Sequence, residues 1–192
     1  MRGIVIAGTN SGCGKTTVTI GLMSLLAERG HKIAPFKTGP DFIDPAFHRK
    51  VTGTPSYNLD TFLMSPEVIK HLYAKHTEKK DFAVVEGVMG LYDGMGDEAT
   101  GSAAELSKLL DLPVLLVVSC KSMYQSVAAI VSGFKHFDPQ VNVAGVILNH
   151  VSNADSYVFL KKYIETHTGV PCVGYLPTNS DISLESRHLG LV

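Results

Sequence analysis

The sequence predicts an α/β fold in three layers, with helices on both sides of a mostly parallel sheet, and three observations predict it. Short apolar runs rich in Val and Ile recur along the 192 residues. Those runs are continuously apolar instead of alternating, as strands covered on both faces are. Helical stretches separate them, in the rhythm of successive right-handed βαβ units. With 45% of its residues hydrophobic, the chain can bury one sizeable core, and its length favours a single domain over residues 1–192.

The elements follow in order. Strands are expected at residues 3–7, 33–36, 82–85, 114–118, 143–148 and 170–175. A first helix over 15–29 stops at Gly30. Ser65-Pro66-Glu67 reads as a cap, then Pro at the first helical position, then an acidic first turn. Further helices are expected over 103–110, 126–135 and 155–168. Residues 38–61 differ: Gly39, Pro40, Pro45, Gly53 and Pro55 interrupt any period, which predicts a long functional loop.

Composition excludes several classes. Seventeen Lys and Arg against 18 Asp and Glu give a net charge of −1, no footprint for nucleic acid or an anionic membrane. No apolar run approaches the length of a membrane span, and the N-terminus has no signal-peptide pattern, so a soluble cytoplasmic protein is expected. Cys13, Cys120 and Cys172 are too scattered for a disulfide framework or a zinc site.

Directly after the first strand stands GTNSGCGKTT, residues 8–17. A glycine-rich strand-to-helix turn ending in Gly14-Lys15-Thr16 is a phosphate-binding loop. Its backbone amides at Thr9, Asn10, Ser11, Gly12, Cys13 and Gly14 and the helix N-terminus at Thr16 and Thr17 attract polyphosphate. Lys15 adds charge near the β and γ groups, and the Thr16 hydroxyl is placed to ligate Mg²⁺. Against the GxxxxGK[ST] pattern the loop is one residue longer, with its first glycine at Gly8. Lys15 is expected to face solvent when no nucleotide is bound.

Open parallel sheets bind ligands outside the carboxyl ends of their strands, and those ends are polar here. Strand two runs into Lys37-Thr38-Gly39-Pro40-Asp41-Phe42-Ile43-Asp44-Pro45, and the apolar run 82–85 into Glu86-Gly87 and then Asp93-Gly94. A metal on a triphosphate takes hard oxygen ligands, for which Asp41 and Glu86 join Thr16. Asp41, Asp44 and Asp93 also fit as turn caps beside Gly and Pro. Lys37 either neutralises a substrate carboxylate or the moving phosphoryl group, or is an exposed strand-end lysine. Asn58 and Asp60 read as caps for the following helix. Asn149, closing a later strand, reads either as a nucleobase contact or as a turn residue. The histidines, His48 among them, share no metal-ligand spacing and are expected mostly at the surface.

Together the phosphate loop, KTGPDFIDP (37–45), NLD (58–60), EGVMGLYDG (86–94) and the terminal RHLGLV (187–192) closely resemble the synthetase domain of the cobyrinic acid a,c-diamide synthase family, end to end. The lengthened loop is shared with dethiobiotin synthetase. The resemblance implies a P-loop NTPase fold of the dethiobiotin-synthetase kind and an ATP- and Mg²⁺-dependent carbon–nitrogen ligase. In such an enzyme the γ-phosphoryl group passes to an acetate carboxylate of a tetrapyrrole, and ammonia then displaces phosphate. It further implies that Lys15, Lys37, Asp44 and Asp93 carry the chemistry, with Asp44 and Asp93 on the substrate side. Members of the family usually continue into a glutaminase domain. No glutaminase nucleophile elbow can be built around Cys13, Cys120 or Cys172, so this chain is expected to be the N-terminal part of a longer enzyme, receiving ammonia from a domain outside it. A homodimer is one oligomeric state open to it.

Two other readings stay open. The nickel-sirohydrochlorin a,c-diamide synthase of methanogens shares these motifs. Partition-type switch ATPases share the fold, but carry Lys where this loop has Asn10 and lack the GPDFIDP segment.

Overall fold

A computed structural model describes residues 2–97 and 99–178; the RHLGLV segment lies outside them. The elements run β1 (Arg2–Gly8), α1 (Lys15–Glu28), β2 (Ile33–Thr38), α2 (Ile43–Thr52), β3 (Tyr57–Leu59), α3 (Pro66–Thr77), β4 (Phe82–Gly90), α4 (Ala103–Leu109), β5 (Val114–Ser119), α5 (Ser126–Phe137), β6 (Val143–Val151), α6 (Ala154–Thr168) and β7 (Cys172–Pro177). Seven strands form one sheet in the order β3-β2-β4-β1-β5-β6-β7, every pairing parallel.

Residues of the six longer strands feed two cores, one on each face of the sheet. Ile6, Val84 and Val117 pack with Val18 and Met23 of α1, and Val51 of α2 joins that cluster. Val5, Val85 and Leu116 pack on the other face with Ile69 of α3, Leu106 of α4, Val131 of α5 and Ile164 of α6. The continuous apolar runs are thus explained: each face of the sheet has its own helical layer. Ser65 caps α3 by accepting from the Val68 amide, with Pro66 as its first residue. Gly30, at φ 82°, follows the end of α1.

Residues 38–61 are not the long loop expected. They hold α2 and the edge strand β3. Pro45 sits in the first turn of α2, where a missing N–H costs no helical bond. Gly53 ends that helix at φ 65°, donating its amide to the Arg49 carbonyl. The glycines and prolines bound these elements instead of dissolving them.

The register sets the site. Lys37 on β2 lies beside Glu86 on β4, Glu86 beside Ile6 on β1, and Asn58 on β3 beside Lys37. Ser119 lies beside Asn149 across β5 and β6. Among the described residues no helix is long and apolar enough to cross a membrane.

Candidate active site

β1 delivers the chain into the phosphate loop, whose turns need glycine at two places: Gly12 and Gly14 have φ of 78° and 96°. The loop is pinned from behind. Asn149 Nδ2 donates to the Cys13 carbonyl at 2.9 Å, while Asn149 Oδ1 accepts from the His150 amide at 2.9 Å. A Cβ on Gly14 would run into that Asn149 amide, a second reason for glycine there. Asn10 and Ser11 point outward and Cys13 inward, its thiol packed beside Val18. Thr9 Oγ1 donates to Asn10 Oδ1 at 2.9 Å, and Thr17 follows Thr16 in the first turn of α1.

Lys15 departs from the expectation of a solvent-facing side chain. It is buried, and its Nζ reaches back across the loop to donate to the Asn10 carbonyl at 3.2 Å. Burial lowers its pKa below the ordinary lysine value, and the positive charge of Lys37 adds to the lowering. An ammonium ion desolvated this way has a strong reason to take up a phosphate.

Behind the loop lies a buried polar network. Glu86 has no solvent exposure. Its Oε1 accepts from Thr16 Oγ1 at 2.6 Å and from Lys37 Nζ at 3.3 Å, and its Oε2 sits 2.7 Å from His48 Nε2. Lys37 also donates to the Gly87 carbonyl at 3.0 Å, pairs with Asp44 at 2.7 Å and lies 3.9 Å from Asp41. Lys37 is therefore buried, 4% exposed, and not an exposed strand-end lysine.

The charges sort themselves by partner. Burial alone would raise the Glu86 carboxyl, but the hydrogen bond from His48 and the Lys37 charge hold it at about 2. Burial pulls Lys37 down, yet Glu86 and Asp44 outweigh it and leave the ammonium raised. Asp44 goes the other way: burial, then the neighbouring Glu86 charge, lift it to about 6 against Lys37. The network thus holds one firmly ionised carboxylate, one ammonium and one carboxyl able to exchange a proton near neutrality.

The remaining acids have local partners. Asp41 Oδ1 accepts from the Ile43 amide at 2.8 Å at the start of α2, leaving Oδ2 toward Lys37. Asp93 Oδ2 accepts from the Gly90 amide at 2.8 Å, closing the turn after β4. Asp60 caps the turn ahead of α3 through the Phe62 and Leu63 amides, and Asn58 donates to the Asp41 carbonyl at 2.6 Å.

His48 corrects the reading of the histidines as mostly surface groups. It has no solvent exposure and spans from Glu86 to Ser56 Oγ, 3.0 Å from its Nδ1. The signal was its spacing: Asp44 and His48 stand four apart, on one face of a helix that the prolines and glycines disguised.

Among the described residues no group of three or more His, Cys, Asp or Glu could hold a metal alone. Mg²⁺ carried on a triphosphate keeps waters and takes few protein ligands. Thr16 donates a hydrogen bond to the Glu86 carboxylate, so its oxygen lone pairs remain available, and Asp41 Oδ2, 3.9 Å from Lys37 Nζ, belongs to a side chain that is 32% exposed. The residues present fit such an ion.

Residues 4–192 match the CobQ/CobB/MinD/ParA nucleotide binding domain. Cobyrinate a,c-diamide synthase from Listeria innocua is 48% identical over 100% of this chain and 43% of its own length. The enzyme of that name from Salmonella typhimurium is 47% identical over 98% of this chain and 41% of its own length. The chain thus spans about two-fifths of the relatives it matches. The signal recognition particle receptor FtsY from Elizabethkingia anophelis superposes with TM-score 0.66 at 15% identity, covering 96% of this chain and 62% of that one. Chloroplast FtsY from Physcomitrella patens gives 0.63 at 17%, covering 89% and 57%. At those identities the FtsY structures show the fold alone, that of a P-loop NTPase. Taken with a phosphate loop pinned by Asn149 and backed by Glu86, the match shows that the chain belongs to the CobQ/CobB/MinD/ParA nucleotide-binding domain family.

Proposed function

We propose that this domain uses ATP to convert the a and c acetate carboxylates of a corrin-type tetrapyrrole into amides, cobyrinate to its a,c-diamide, through an acyl phosphate. The observation that carries the reading is identity of 47–48% with synthases of that name across 98–100% of the chain.

A carboxylate oxygen attacks the γ-phosphorus and the bond to the bridging oxygen breaks, releasing ADP. Ammonia then adds to the acyl carbon, loses a proton, and phosphate departs with the former carboxylate oxygen. Two anions must be held in line and their repulsion screened. Lys15, already desolvated, meets the β and γ oxygens together with the loop amides. Thr16 and Asp41 would hold Mg²⁺, with Glu86 acting through the Thr16 hydroxyl, and the ion would supply charge neutralisation on the triphosphate. Lys37 is a fixed cation behind the reacting oxygens. Asp44, with its carboxyl near 6, is a stronger base than an ordinary aspartate and takes the proton from the incoming nitrogen; Asp93 stands on the same substrate side. The nucleoside enters the cavity of about 460 Å³ at the ends of β5 and β6, lined by Lys121, Tyr124, His150 and Ser156. A glutaminase domain elsewhere in a longer cytoplasmic enzyme supplies the ammonia.

The test places ¹⁸O in the acetate groups of cobyrinate, with ammonium as nitrogen source. The expected result is ¹⁸O in the released phosphate and ATP turnover that requires the tetrapyrrole. Unlabelled phosphate with tetrapyrrole-independent turnover would establish the rival reading, a switch ATPase. Amidation of nickel-sirohydrochlorin in preference to cobyrinate would reassign the substrate and keep the chemistry.

A further inference from the structure

We infer that His48 is a positioning residue for phosphoryl transfer: its Nε2–H orients the buried Glu86 carboxylate, and Glu86 thereby holds the Thr16 hydroxyl so that its oxygen meets a nucleotide-bound divalent cation. The inference rests on the ATP-dependent reading above and adds a residue to it.

Both side chains have no solvent exposure. Glu86, paired with Lys37 and accepting from Thr16, is a carboxylate that only accepts, so the proton at the 2.7 Å contact belongs to His48 Nε2 whatever the charge of the ring. Ser56 Oγ, 3.0 Å from Nδ1, fixes the other edge of the imidazole. A carboxylate's terminal torsion is soft. Held at Oε2 by His48, Glu86 has to present Oε1 to Thr16 at 2.6 Å and to Lys37 at 3.3 Å. Without the Nε2 donor, Oε2 is a buried acceptor with no partner, and the carboxylate swings to find one, releasing the Thr16 hydroxyl. His48 stands one turn after Asp44 on α2, so the same contact keeps the acidic start of α2 in register with the first turn of α1.

The test compares His48→Gln with His48→Asn in this chain. Gln places an N–H close to the imidazole Nε2 position; Asn is too short to reach Glu86 and keeps only a partner for Ser56. The readouts are melting temperature and calorimetric ATP affinity, with Mg²⁺ and with EDTA. Supporting contacts to metal-site ligands are worth about 10–100-fold. The expected result is Mg²⁺-dependent ATP affinity reduced about tenfold in His48→Asn and recovered to within about threefold in His48→Gln, with ATP affinity in EDTA unchanged in both. Equal losses in the two variants, or a loss of the same size in EDTA, would reduce His48 to a packing role and overturn the inference. If His48→Asn fails to fold, His48→Gln is compared with Ser56→Ala, which is expected to lose about two- to threefold with Mg²⁺ only. Ser56→Ala binding like the wild type would overturn the inference. No arm uses the tetrapyrrole, so failure of the amidation reading would appear in the ¹⁸O experiment and leave this result standing.

Discussion

Thr16 Oγ1 donates to Glu86 Oε1 at 2.6 Å, tying the first turn of α1 to the middle of β4 across 70 residues of chain. Through that bond the phosphate loop and the acidic start of α2 become one network, because Glu86 also carries Lys37, and Lys37 carries Asp44. Whatever binds at the loop is mechanically connected to the side chains proposed to meet the substrate.

Glu86→Gln tests how much the network contributes to stability. The side chain faces three donors, from His48, Thr16 and Lys37, and a glutamine amide brings a donor of its own against one of them. Removing one partner of a buried ion pair costs about 3–5 kcal/mol, to be read by urea denaturation at pH 7. The Glu86 carboxyl is held at about 2, below its ordinary 4.5, so its contribution is present above 4.5 and fades as pH falls toward 2. The gap between wild type and Glu86→Gln should therefore narrow only below pH 4.5. Adding Lys37→Met to Glu86→Gln should recover part of the loss, since the two side chains are in contact.

Asp44→Asn should have the opposite sign. A carboxyl raised from 3.8 to about 6 stays protonated in the native state while the unfolded chain ionises. Its stability contribution is full below pH 3.8 and is lost as pH rises to 6. Between pH 4 and 6 the wild type should lose stability relative to Asp44→Asn, followed by denaturant midpoint. Amidation should fall about 100-fold or more, as for loss of a general base, with Mg²⁺-ATP affinity little changed. Unchanged amidation would remove Asp44 from the substrate side.

Six of the seven strands were legible in the sequence because each carries a short continuous apolar run, buried along nearly all of its length in β2 and β5 and mainly at Cys172 in the edge strand β7. Missing were β3 and α2. Tyr57–Leu59 is a three-residue edge strand with two of its residues not fully buried, too short for a pattern. In α2, Pro45 and Gly53 break the period that marks a helix, although proline in a first turn and glycine after a last turn are how helices begin and end. Losing α2 hid His48, since without the helix its spacing from Asp44 has no meaning. The phosphate loop and Glu86 were legible because strand, glycines and acid are contiguous motifs. Of the partners around Glu86, Thr16 and Lys37 already stand with it at the strand ends in the sequence reading, whereas His48 does not, because it comes from α2 at a separation that only the fold closes.

Asn149 offers a test between reading a nucleobase and building the loop. Its amide is already committed on both sides, Nδ2 to the Cys13 carbonyl and Oδ1 to the His150 amide, and it is 5% exposed. Asn149→Ala should therefore loosen the phosphate loop and weaken ATP and GTP by the same factor, about fivefold to tenfold for one buried hydrogen bond, in parallel nucleotide titrations. A selective loss of ATP over GTP would show that the side chain reads the base when nucleotide is present.

Asp93 separates charge from geometry. Its Oδ2 accepts from the Gly90 amide at 2.8 Å, and Asp93 N donates back to the Gly90 carbonyl at 3.1 Å, so the residue closes the turn that ends β4. That turn has little slack: a Cβ on Gly90 would press on the Asp93 carboxylate and on the Thr9 carbonyl of the phosphate loop. Asp93→Asn keeps an oxygen for the Gly90 amide and removes only the charge, whereas Asp93→Ala removes both. If Asp93 acts on the substrate or on ammonia through its charge, Asp93→Asn should lose amidation by about tenfold or more while binding Mg²⁺-ATP as the wild type does. If the turn alone matters, Asp93→Asn should keep near wild-type amidation, and Asp93→Ala should lose ATP affinity together with rate, because the disturbance reaches Thr9. Steady-state amidation with ammonium and calorimetric ATP binding on the two variants distinguish these outcomes, and near wild-type amidation in Asp93→Asn would take Asp93 out of the reaction.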